Sequence, residues 1–168
     1  MNRSIKKKIQ KIKTVIFDFD GVMTNNTVIV DQTGRESVIV SRADGLGVGI
    51  LKKLGYELLI LSSETNQVVQ TRANKLGIKC IHGIDEKDKA LAKYVEENNI
   101  SFIELMYVGN DLNDISAMEM VGCSVCPKDA HCCAKRIADM VLKSPGGNGV
   151  VREIAEVLRQ YKLKRGVK

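Results

Sequence analysis

A short apolar run that ends in two acids constrains this chain more than any other feature. The segment Val15–Phe17 leads directly into Asp18 and Asp20, and Gly21 follows. A β-branched and aromatic run that is bounded by a glycine turn predicts a buried central strand. Side chains two residues apart on a strand point to the same side. Because unpaired carboxylates are costly to bury, the pair indicates a bound cation or a reaction, rather than two acids that merely cap a strand and a turn.

The rest of the chain alternates between predicted helices and predicted strands. A short amphipathic helix (3–12), the strand (14–19) and a β-hairpin (27–30 with 35–40) come first. Asp44 is the predicted N-cap of the next helix, and Gly55 its predicted stop. The predicted helices are 44–54, 64–76, 86–98, 111–120, 129–137 and 149–161, and the strands between them are 56–61, 78–81, 105–108, 123–126 and 140–142. This alternation predicts an α/β fold with a Rossmann-like parallel sheet.

Composition and charge exclude several classes of protein. The 168 residues are enough for one domain with a substantial core. No run of 18 apolar residues and no signal-like N-terminus is present, so we expect a cytoplasmic protein that does not bind membranes. The net charge of +6 gathers at the two ends, and aromatic residues make up only 4% of the chain. We therefore expect a solvated basic surface that attracts anionic substrates and no nucleic-acid partner.

The five cysteines suggest a reducing compartment and leave one alternative open. An odd number argues against a disulfide framework. Cys123 and Cys126 are spaced like zinc ligands and could join Cys132 and Cys133. However, the first pair lies in an apolar, strand-like segment, and the second pair is adjacent rather than spaced. Buried thiols that pack as small hydrophobic groups are the favoured interpretation.

The sequence D-x-D-G-V-x-T at residues 18–24 resembles the nucleophile motif of the haloacid dehalogenase superfamily of phosphotransferases, and the similarity extends from Lys13 to Leu158. It is greatest to the small cap-less subfamily that includes 3-deoxy-manno-octulosonate 8-phosphate phosphatase and its nine-carbon relatives. The resemblance implies one domain over 1–168, with a core at 13–158, a β-hairpin at 25–41 and a tail at 159–168. It also implies a homotetramer that assembles through the hairpin, whose apolar arms independently predict association.

The resemblance, together with the needs of phosphoryl transfer, assigns a role to four side chains. Asp18 would be the nucleophile, and Asp20 would serve as general acid and base. Ser62 would bind a phosphate oxygen, and Lys87 would neutralise developing charge. Ser62 could instead be a helix cap, as serines after a strand often are. Lys87 or its neighbour Lys89 could be a surface lysine, although the spacing to the next motif favours Lys87 as the site residue.

A magnesium site is the expected cofactor site. Mg²⁺ would bind Asp18, the backbone carbonyl of Asp20 and the loop after residue 108, where Asn110, Asp111 and Asp114 are the candidate ligands. Related phosphatases usually carry Gly-Asp-Asp here, so Asn110 removes one negative charge from the predicted site. The non-catalytic modules fused to CMP-sialate synthetases also resemble this fold and also lack that acid. A second hypothesis is therefore an oligomerisation module of weak or absent activity.

The predicted substrate is a small phosphorylated 3-deoxy-2-keto sugar acid. The candidate substrate-binding residues are Ser63, Glu64, Arg72 and Lys75. Eight-carbon phosphatases typically carry an arginine where this chain has Glu64, and the spacing of Glu64 and Lys75 looks like that of the nine-carbon branch. Glu64 would accept sugar hydroxyls and a basic side chain would face the sugar carboxylate, although a helix-start acid and a surface lysine are the structural alternative. The basic tail from Tyr161 could also reach a neighbour's site.

Overall fold

The computed structural model describes residues 3–163, and a six-stranded parallel sheet lies at its centre. The strand order is β5-β4-β1-β6-β7-β8, with β1 in the middle. The six strands are β1 (Thr14–Phe17), β4 (Glu57–Leu61), β5 (Lys79–Ile81), β6 (Leu105–Val108), β7 (Cys123–Cys126) and β8 (Met140–Val141), and a separate hairpin contains β2 (Ile29–Val30) and β3 (Glu36–Ser37). The predicted α/β fold with a parallel sheet is confirmed.

Helices cover both faces of this sheet. They are α1 (Arg3–Ile9), α2 (Arg42–Lys53), α3 (Val68–Leu76), α4 (Lys87–Glu97), α5 (Ile115–Met120), α6 (Cys132–Ile137) and α7 (Val150–Leu163). One hydrophobic cluster joins the sheet to α1, α2, α3 and α7. A second cluster joins the opposite face to α4, α5 and α6. Within residues 3–163, none of the helices combines the length and the apolar character that crossing a bilayer requires.

Two predicted helix starts are wrong, and both errors have a local cause. The N-cap of α2 is Ser41, whose hydroxyl accepts the N–H of Ala43 at 3.1 Å. Asp44, the predicted cap, lies buried in the first turn and accepts the backbone N–H of Arg152 at 3.2 Å. Helix α3 begins four residues later than predicted, at Val68, because the preceding segment forms turns. Short polar side chains can accept hydrogen bonds from nearby backbone N–H groups, and these bonds compete with the backbone hydrogen bonds of a helix.

Other boundaries move by a few residues. The predicted helix 111–120 begins with a short 3₁₀ turn (Leu112–Asp114), and the predicted helix 129–137 begins only at Cys132. The last helix is longer than predicted and continues through Leu163, so residues 159–163 are helical and do not form a tail. Residues 164–168 of the predicted tail lie outside the described part of the chain.

The hairpin exists but is smaller and more exposed than its sequence predicts. Its two strands are only two residues long each and pair antiparallel. A bridge between Thr24 and Val40 ties its base to the end of the acidic loop. Among its apolar side chains, Ile29 is 58% exposed and Ile39 63% exposed. The described part of this chain therefore leaves the arms uncovered, which is unusual for an apolar hairpin.

Candidate active site

The parallel register brings the predicted site residues to one edge of the sheet. Strand β1 pairs with β4 on one side and with β6 on the other. Asp18 follows β1, Ser62 follows β4 and Asn110 follows β6. The carboxyl ends of parallel strands are where ligands bind in open α/β sheets. A cleft of about 360 Å³ opens there, and its lining residues are Asp18, Asp20, Asn26, Ser62, Ser63, Asn110, Asp111, Leu112 and Asn113.

Asp18 lies at the floor of the cleft in a largely buried position. Its Oδ1 accepts the N–H of Phe19 at 2.7 Å and lies 2.9 Å from Nζ of Lys87. Burial and the neighbouring Asp114 raise the pKa of Asp18 to about 7, although Lys87 acts in the opposite direction. A bound cation would favour the ionised carboxylate. The position and contacts of Asp18 suit an anionic oxygen that is held against a cation.

Lys87 is a fully buried cation between two carboxylates. It is the first residue of α4, is 1% exposed and pairs with Asp18 and with Asp114, whose Oδ1 is 2.7 Å away. Burial lowers the pKa of Lys87, but Asp18 and Asp114 more than offset this, so its pKa is raised. Lys89 instead forms a surface pair with Glu86 at 2.6 Å. Lys87, which the spacing of the motifs favours over Lys89, is thus the lysine that contacts Asp18.

Asp114 is fully buried, and hydrogen-bond donors surround its carboxylate. Its Oδ1 accepts from Lys87 and from the hydroxyl of Tyr107, at 2.7 and 2.8 Å. Its Oδ2 accepts the backbone N–H groups of Asn110 and Asp111, at 2.8 and 3.2 Å. Both oxygens are therefore engaged by donors. This arrangement does not favour the metal-ligand role predicted for Asp114.

Asp111 also has a local partner. Its Oδ1 accepts the N–H of Leu112 at 2.7 Å and starts the short 3₁₀ turn. The residue nevertheless lines the cleft, where its carboxylate contributes negative charge. Asp111 thus lines the cleft, whereas the side-chain oxygen of Asn110 lies 3.3 Å from Oδ2 of Asp18.

Three oxygens meet where the sequence predicts a magnesium ion. The side-chain oxygen of Asn110 lies 2.8 Å from the carbonyl oxygen of Asp20 and 3.3 Å from Oδ2 of Asp18. Both neighbours are acceptors, so the amide has to turn its nitrogen inward or share a cation with them. Adjacent oxygens around a six-coordinate Mg²⁺ are about 3 Å apart, since each lies 2.0–2.1 Å from the ion. With the side-chain oxygen of Asn110 facing Asp18 and Asp20, the three oxygens therefore fit a shared Mg²⁺ ion.

Gly21 allows this close approach. Its φ is +78°, and a Cβ at this position would lie 2.1 Å from the side-chain nitrogen Nδ2 of Asn110. Both the backbone conformation and the lack of a side chain are needed for the acidic loop to pack against Asn110. The glycine of the D-x-D-G motif thus has a physical explanation in the geometry of the site.

Asp20 is half-buried above Asp18, and Thr24 orients its carboxylate. The hydroxyl of Thr24 donates to Asp20 Oδ1 at 3.1 Å while it accepts the N–H groups of Gly21 and Asn26. Burial raises the pKa of Asp20, and the hydrogen bond from Thr24 opposes this shift. A carboxyl group with a raised pKa in a solvent-accessible cleft can hold a proton and give it up during a reaction.

The loop after β4 forms the opposite wall. Ser62 is buried and its Oγ accepts the N–H of Glu64 at 3.1 Å. Ser63 accepts from the side-chain amide of Asn113 at 3.0 Å, which joins this wall to the loop after β6. The carboxylate of Glu64 accepts the N–H of Asn66 at 2.8 Å. Ser62, Ser63 and Glu64 thus lie at or beside the cleft, and Ser62 is not a helix cap because α3 starts later.

A second cleft continues from Asp20 towards the hairpin. It has a volume of about 260 Å³ and is bounded by the acids Asp20, Glu36 and Glu64. Glu36 lies on β3 and accepts from the side-chain amide of Asn66 at 3.2 Å. Carboxylates of this kind accept hydrogen bonds from hydroxyl groups. The cleft therefore offers acceptors to a polar ligand that extends from the catalytic edge.

Arg72 and Lys75 are not brought to these clefts by their own chain. Both line a groove of about 500 Å³ between α2 and α3, together with Arg42 and Lys52. The guanidinium of Arg72 donates to the carbonyl of Ser41 at 2.9 Å. The basic residues predicted for substrate binding thus form a separate cationic surface.

Three residues that shape the clefts are absent from the sequence-based prediction. Thr24 is the last residue of the D-x-D-G-V-x-T motif, and this position could have indicated its contact with Asp20. Tyr107 lies within a strand and has the pattern of an ordinary core aromatic residue. Glu36 gave no signal, because only the folded hairpin places it opposite Glu64.

Comparisons with known proteins agree with this geometry. A model of haloacid dehalogenase-like hydrolases matches residues 52–154. The 3-deoxy-D-manno-octulosonate 8-phosphate phosphatase KdsC of Haemophilus influenzae is 30% identical over 164 residues, which are 97% of this chain and 91% of that protein. N-acylneuraminate cytidylyltransferase A of Danio rerio is 28% identical over 95% of this chain, but the match covers only 37% of that protein.

Solved structures give the same picture. The 3-deoxy-D-manno-octulosonate 8-phosphate phosphatase of Moraxella catarrhalis, in complex with magnesium ion, phosphate ion and KDO, superposes with a TM-score of 0.93. It is 28% identical, and the match covers 99% of this chain and 98% of that one. A Streptomyces avermitilis protein assigned to the HAD hydrolases is 46% identical with a TM-score of 0.86, over 88% of this chain and 85% of its own.

Proposed function

The chain belongs to the haloacid dehalogenase-like hydrolase family, and from this premise we propose that it is a Mg²⁺-dependent phosphatase of a phosphorylated 3-deoxy-2-keto sugar acid with eight or nine carbons. The observation that carries the proposal is the convergence at the end of β1. There the carboxylate of Asp18 lies against the Lys87 cation on one side and the Asn110 and Asp20 oxygens on the other. Phosphoryl transfer needs this combination of a positioned nucleophile and positive charge around it.

The proposed reaction has two steps. A carboxylate oxygen of Asp18 attacks phosphorus, the bond from phosphorus to the sugar oxygen breaks, and Asp20 donates its proton to the departing alkoxide. A water molecule then gives a proton to Asp20 and attacks the phosphorus of the aspartyl-phosphate. Inorganic phosphate leaves, and Asp18 is restored as a carboxylate. The raised pKa of Asp20 and its orientation by Thr24 support this double role.

The surrounding groups bind and orient the phosphoryl group. Ser62, beside Asp18, would donate its hydroxyl hydrogen to a phosphate oxygen, since its own oxygen already accepts the Glu64 N–H. Lys87 would share its charge between Asp18 and the transferred group. When bound by Asp18, the Asp20 carbonyl and Asn110, Mg²⁺ supplies positive charge to the phosphoryl oxygens.

The relatives and the second cleft support the substrate class. The relatives from Haemophilus influenzae and Moraxella catarrhalis are both named for 3-deoxy-D-manno-octulosonate 8-phosphate. Glu36 and Glu64 line the continuation of the cleft, where they would accept hydroxyl hydrogens of a long polyol chain. Arg72 and Lys75 line a different groove, so we propose that they serve a sugar carboxylate only across a subunit boundary. The exposed apolar hairpin supports assembly, which we propose is a homotetramer.

A second candidate function has specific support. The match to the cytidylyltransferase covers 95% of this chain but only 37% of that protein. In addition, the uncharged Asn110 stands where the related phosphatases usually have an acid. Both features fit an oligomerisation module that has lost most of its activity. Against this, Asp18, Asp20, Ser62 and Lys87 all remain in contact or line one cleft, an arrangement that a purely structural module does not need.

Phosphate release from eight- and nine-carbon ulosonate phosphates separates the two candidates. We expect Mg²⁺-dependent turnover in the wild type, its loss with EDTA and its return with Mg²⁺. In Asn110→Asp the Mg²⁺ concentration at half-maximal rate should fall roughly tenfold, since an added ligand charge raises cation affinity. No turnover in the wild type with either substrate, together with activity in Asn110→Asp, would favour the oligomerisation module.

A further inference from the structure

We propose that His131, Cys132 and Cys133 form a second metal site, which binds a thiophilic divalent cation such as Zn²⁺. One ligand atom from each of these residues lies within 4.8 Å of the other two. The Sγ of Cys132 is 4.0 Å from Nδ1 of His131. His131 and Cys132 are exposed, and Cys133 is half-buried. The site lies outside the set of oxygen donors that is proposed to hold Mg²⁺.

These distances are close to those of a formed zinc site. Zinc–sulfur bonds are about 2.3 Å and zinc–nitrogen bonds about 2.0–2.1 Å, so the ligand atoms of a tetrahedral site lie about 3.5–3.8 Å apart. Small rotations of the three side chains would bring their ligand atoms from the observed separations to these shorter ones. His131 Nδ1 also accepts the N–H of Cys133 at 3.3 Å, and the ring would give up this long bond when Nδ1 binds the metal. Three protein ligands leave a fourth position for water.

The other thiols do not compete for this cation. Cys123 and Cys126 lie buried in β7, and burial raises the pKa of Cys123 to about 12 and that of Cys126 to about 11. Both thiols are inaccessible to solvent and pack as hydrophobic groups. Cys80 lies half-buried in β5. The predicted buried thiols are thus confirmed for Cys123 and Cys126, whereas the adjacent pair Cys132 and Cys133 has His131 as a third candidate ligand.

Ligand softness separates the two metal sites. Thiolate and imidazole favour Zn²⁺ and similar cations, whereas carboxylate and carbonyl oxygens favour Mg²⁺. Two thiolates would neutralise a divalent ion at the second site. Arg136 lies beside this site, with Nη2 3.8 Å from the sulfur of Cys133. A bound cation would displace this contact, so removing the guanidinium should strengthen metal binding.

The second site is connected to the cleft by one short backbone bond. The N–H of His131 donates to the carbonyl of Asn110 at 2.8 Å. Asn110 is the residue whose amide oxygen meets Asp18 and Asp20. A metal held by His131 would therefore restrain the segment on which the oxygen site rests.

The proposal is tested with full-length protein, first by Co²⁺ and then by Zn²⁺, in excess Mg²⁺. Thiolate ligation gives Co²⁺ an intense sulfur-to-metal charge-transfer absorption, which oxygen ligands do not produce. We expect one equivalent of Co²⁺ to produce this band and one equivalent of Zn²⁺ to abolish it. The band should persist in Asp18→Asn, which alters only the oxygen site.

Matched variants make the outcome decisive. Cys132→Ser, Cys133→Ser and His131→Ala should each weaken Zn²⁺ binding by about 100-fold or more, since loss of a group that only orients a metal ligand already costs roughly 10–100-fold. Cys80→Ser should leave binding unchanged, and Arg136→Gln should tighten it. Circular dichroism and the melting temperature confirm that each variant folds. Absence of the band, a band that survives in both Cys132→Ser and Cys133→Ser, or its loss in Cys80→Ser would overturn the proposal.

Discussion

At the scale of single residues, the site depends on how a few buried charges balance one another. Lys87 lies between Asp18 and Asp114, and each of the three is almost completely buried. Tyr107 and two backbone N–H groups complete the partners of Asp114. Removing one member of such a network leaves the others charged and unpaired, which costs far more than the loss of a surface pair.

Lys87→Ala should therefore reduce both activity and stability. We expect the free energy of unfolding to fall by about 3–5 kcal/mol, because two buried carboxylates lose their cation. Turnover should fall on the order of 10²–10³-fold, as is typical when a preorganised charge is removed. Urea denaturation and phosphate release measure the two effects. Lys89→Ala, which removes only an exposed pair, should change stability by no more than about 0.5 kcal/mol, and equal losses in both variants would contradict this account.

At the scale of helices and strands, the sequence predicted the central elements well and the caps poorly. Strand β6 and strand β7 begin and end at the predicted residues, because their apolar runs are buried on both faces. Helix α2 begins elsewhere, since Ser41 and Asp44 are both good capping residues and only the packing of α7 decides between them. The acids of the site were predictable from their strand ends. The cleft that Glu36 lines was not, because it depends on the hairpin.

The packing of α2 on α7 gives a prediction from two glycines of one helix. A Cβ at Gly47 would lie 2.7 Å from the backbone nitrogen of Arg152, whereas a Cβ at Gly49 would meet nothing within 4 Å. Gly47→Ala should lower the free energy of unfolding by about 1–3 kcal/mol, since the backbones must separate. Gly49→Ala should raise it by up to about 1 kcal/mol through helix propensity. Thermal and urea denaturation decide, and stabilisation by Gly47→Ala would contradict the close backbone contact between the two helices.

Asp44 gives a pH dependence with a defined sign. Burial raises the pKa of Asp44 above its unfolded value, and its Oδ2 has no hydrogen-bond partner among the described residues. The native state thus binds the proton more tightly, so the contribution of Asp44 to stability is largest below its unfolded pKa and is lost as pH rises through the folded pKa. As pH rises from the unfolded pKa of Asp44 through its folded pKa, the free energy of unfolding of the wild type should fall relative to that of Asp44→Asn. Urea denaturation at a series of pH values measures this difference.

Asp31 provides the control of opposite sign. Hydrogen bonds from Thr33 and Arg35 lower the pKa of Asp31 in the hairpin turn. Its contribution is present above its unfolded pKa and is lost as pH falls towards the folded pKa. Wild type should therefore lose stability relative to Asp31→Asn on acidification. If the stability difference between wild type and variant changed in the same direction with pH for Asp44→Asn and Asp31→Asn, the opposite pKa shifts of Asp44 and Asp31 would be contradicted.

At the scale of the whole molecule, one chain provides the catalytic edge but leaves two surfaces uncovered. The hairpin exposes Val28, Ile29, Val30 and Ile39, and the groove between α2 and α3 is lined by four basic residues. The sequence predicted the apolar hairpin but could not show where Arg72 and Lys75 would face. Because they lie away from the cleft, the proposed substrate-binding role of Arg72 and Lys75 depends on the proposed assembly.

Ile29→Asp should therefore dissociate the proposed homotetramer. A charge on each copy of the hairpin would have to be buried without a partner at the contact between subunits. Light scattering after size exclusion should give a tetramer mass for the wild type and a smaller species for the variant, while the melting transition of the domain remains. Ile103→Lys, an exposed position outside the hairpin, should remain tetrameric. A monomeric wild type at micromolar concentration would contradict the proposal.

The most direct test of the central claim is an acid-quenched single turnover with a ³²P-labelled ulosonate phosphate and Mg²⁺. If Asp18 is the nucleophile, labelled protein should accumulate before phosphate is released, and mass spectrometry should locate the phosphoryl group on Asp18. Asp18→Asn should show no labelled protein, and its turnover should fall on the order of 10⁴–10⁶-fold. Release of phosphate by the wild type with a phosphoryl group on another residue, or undiminished turnover in Asp18→Asn, would contradict the account.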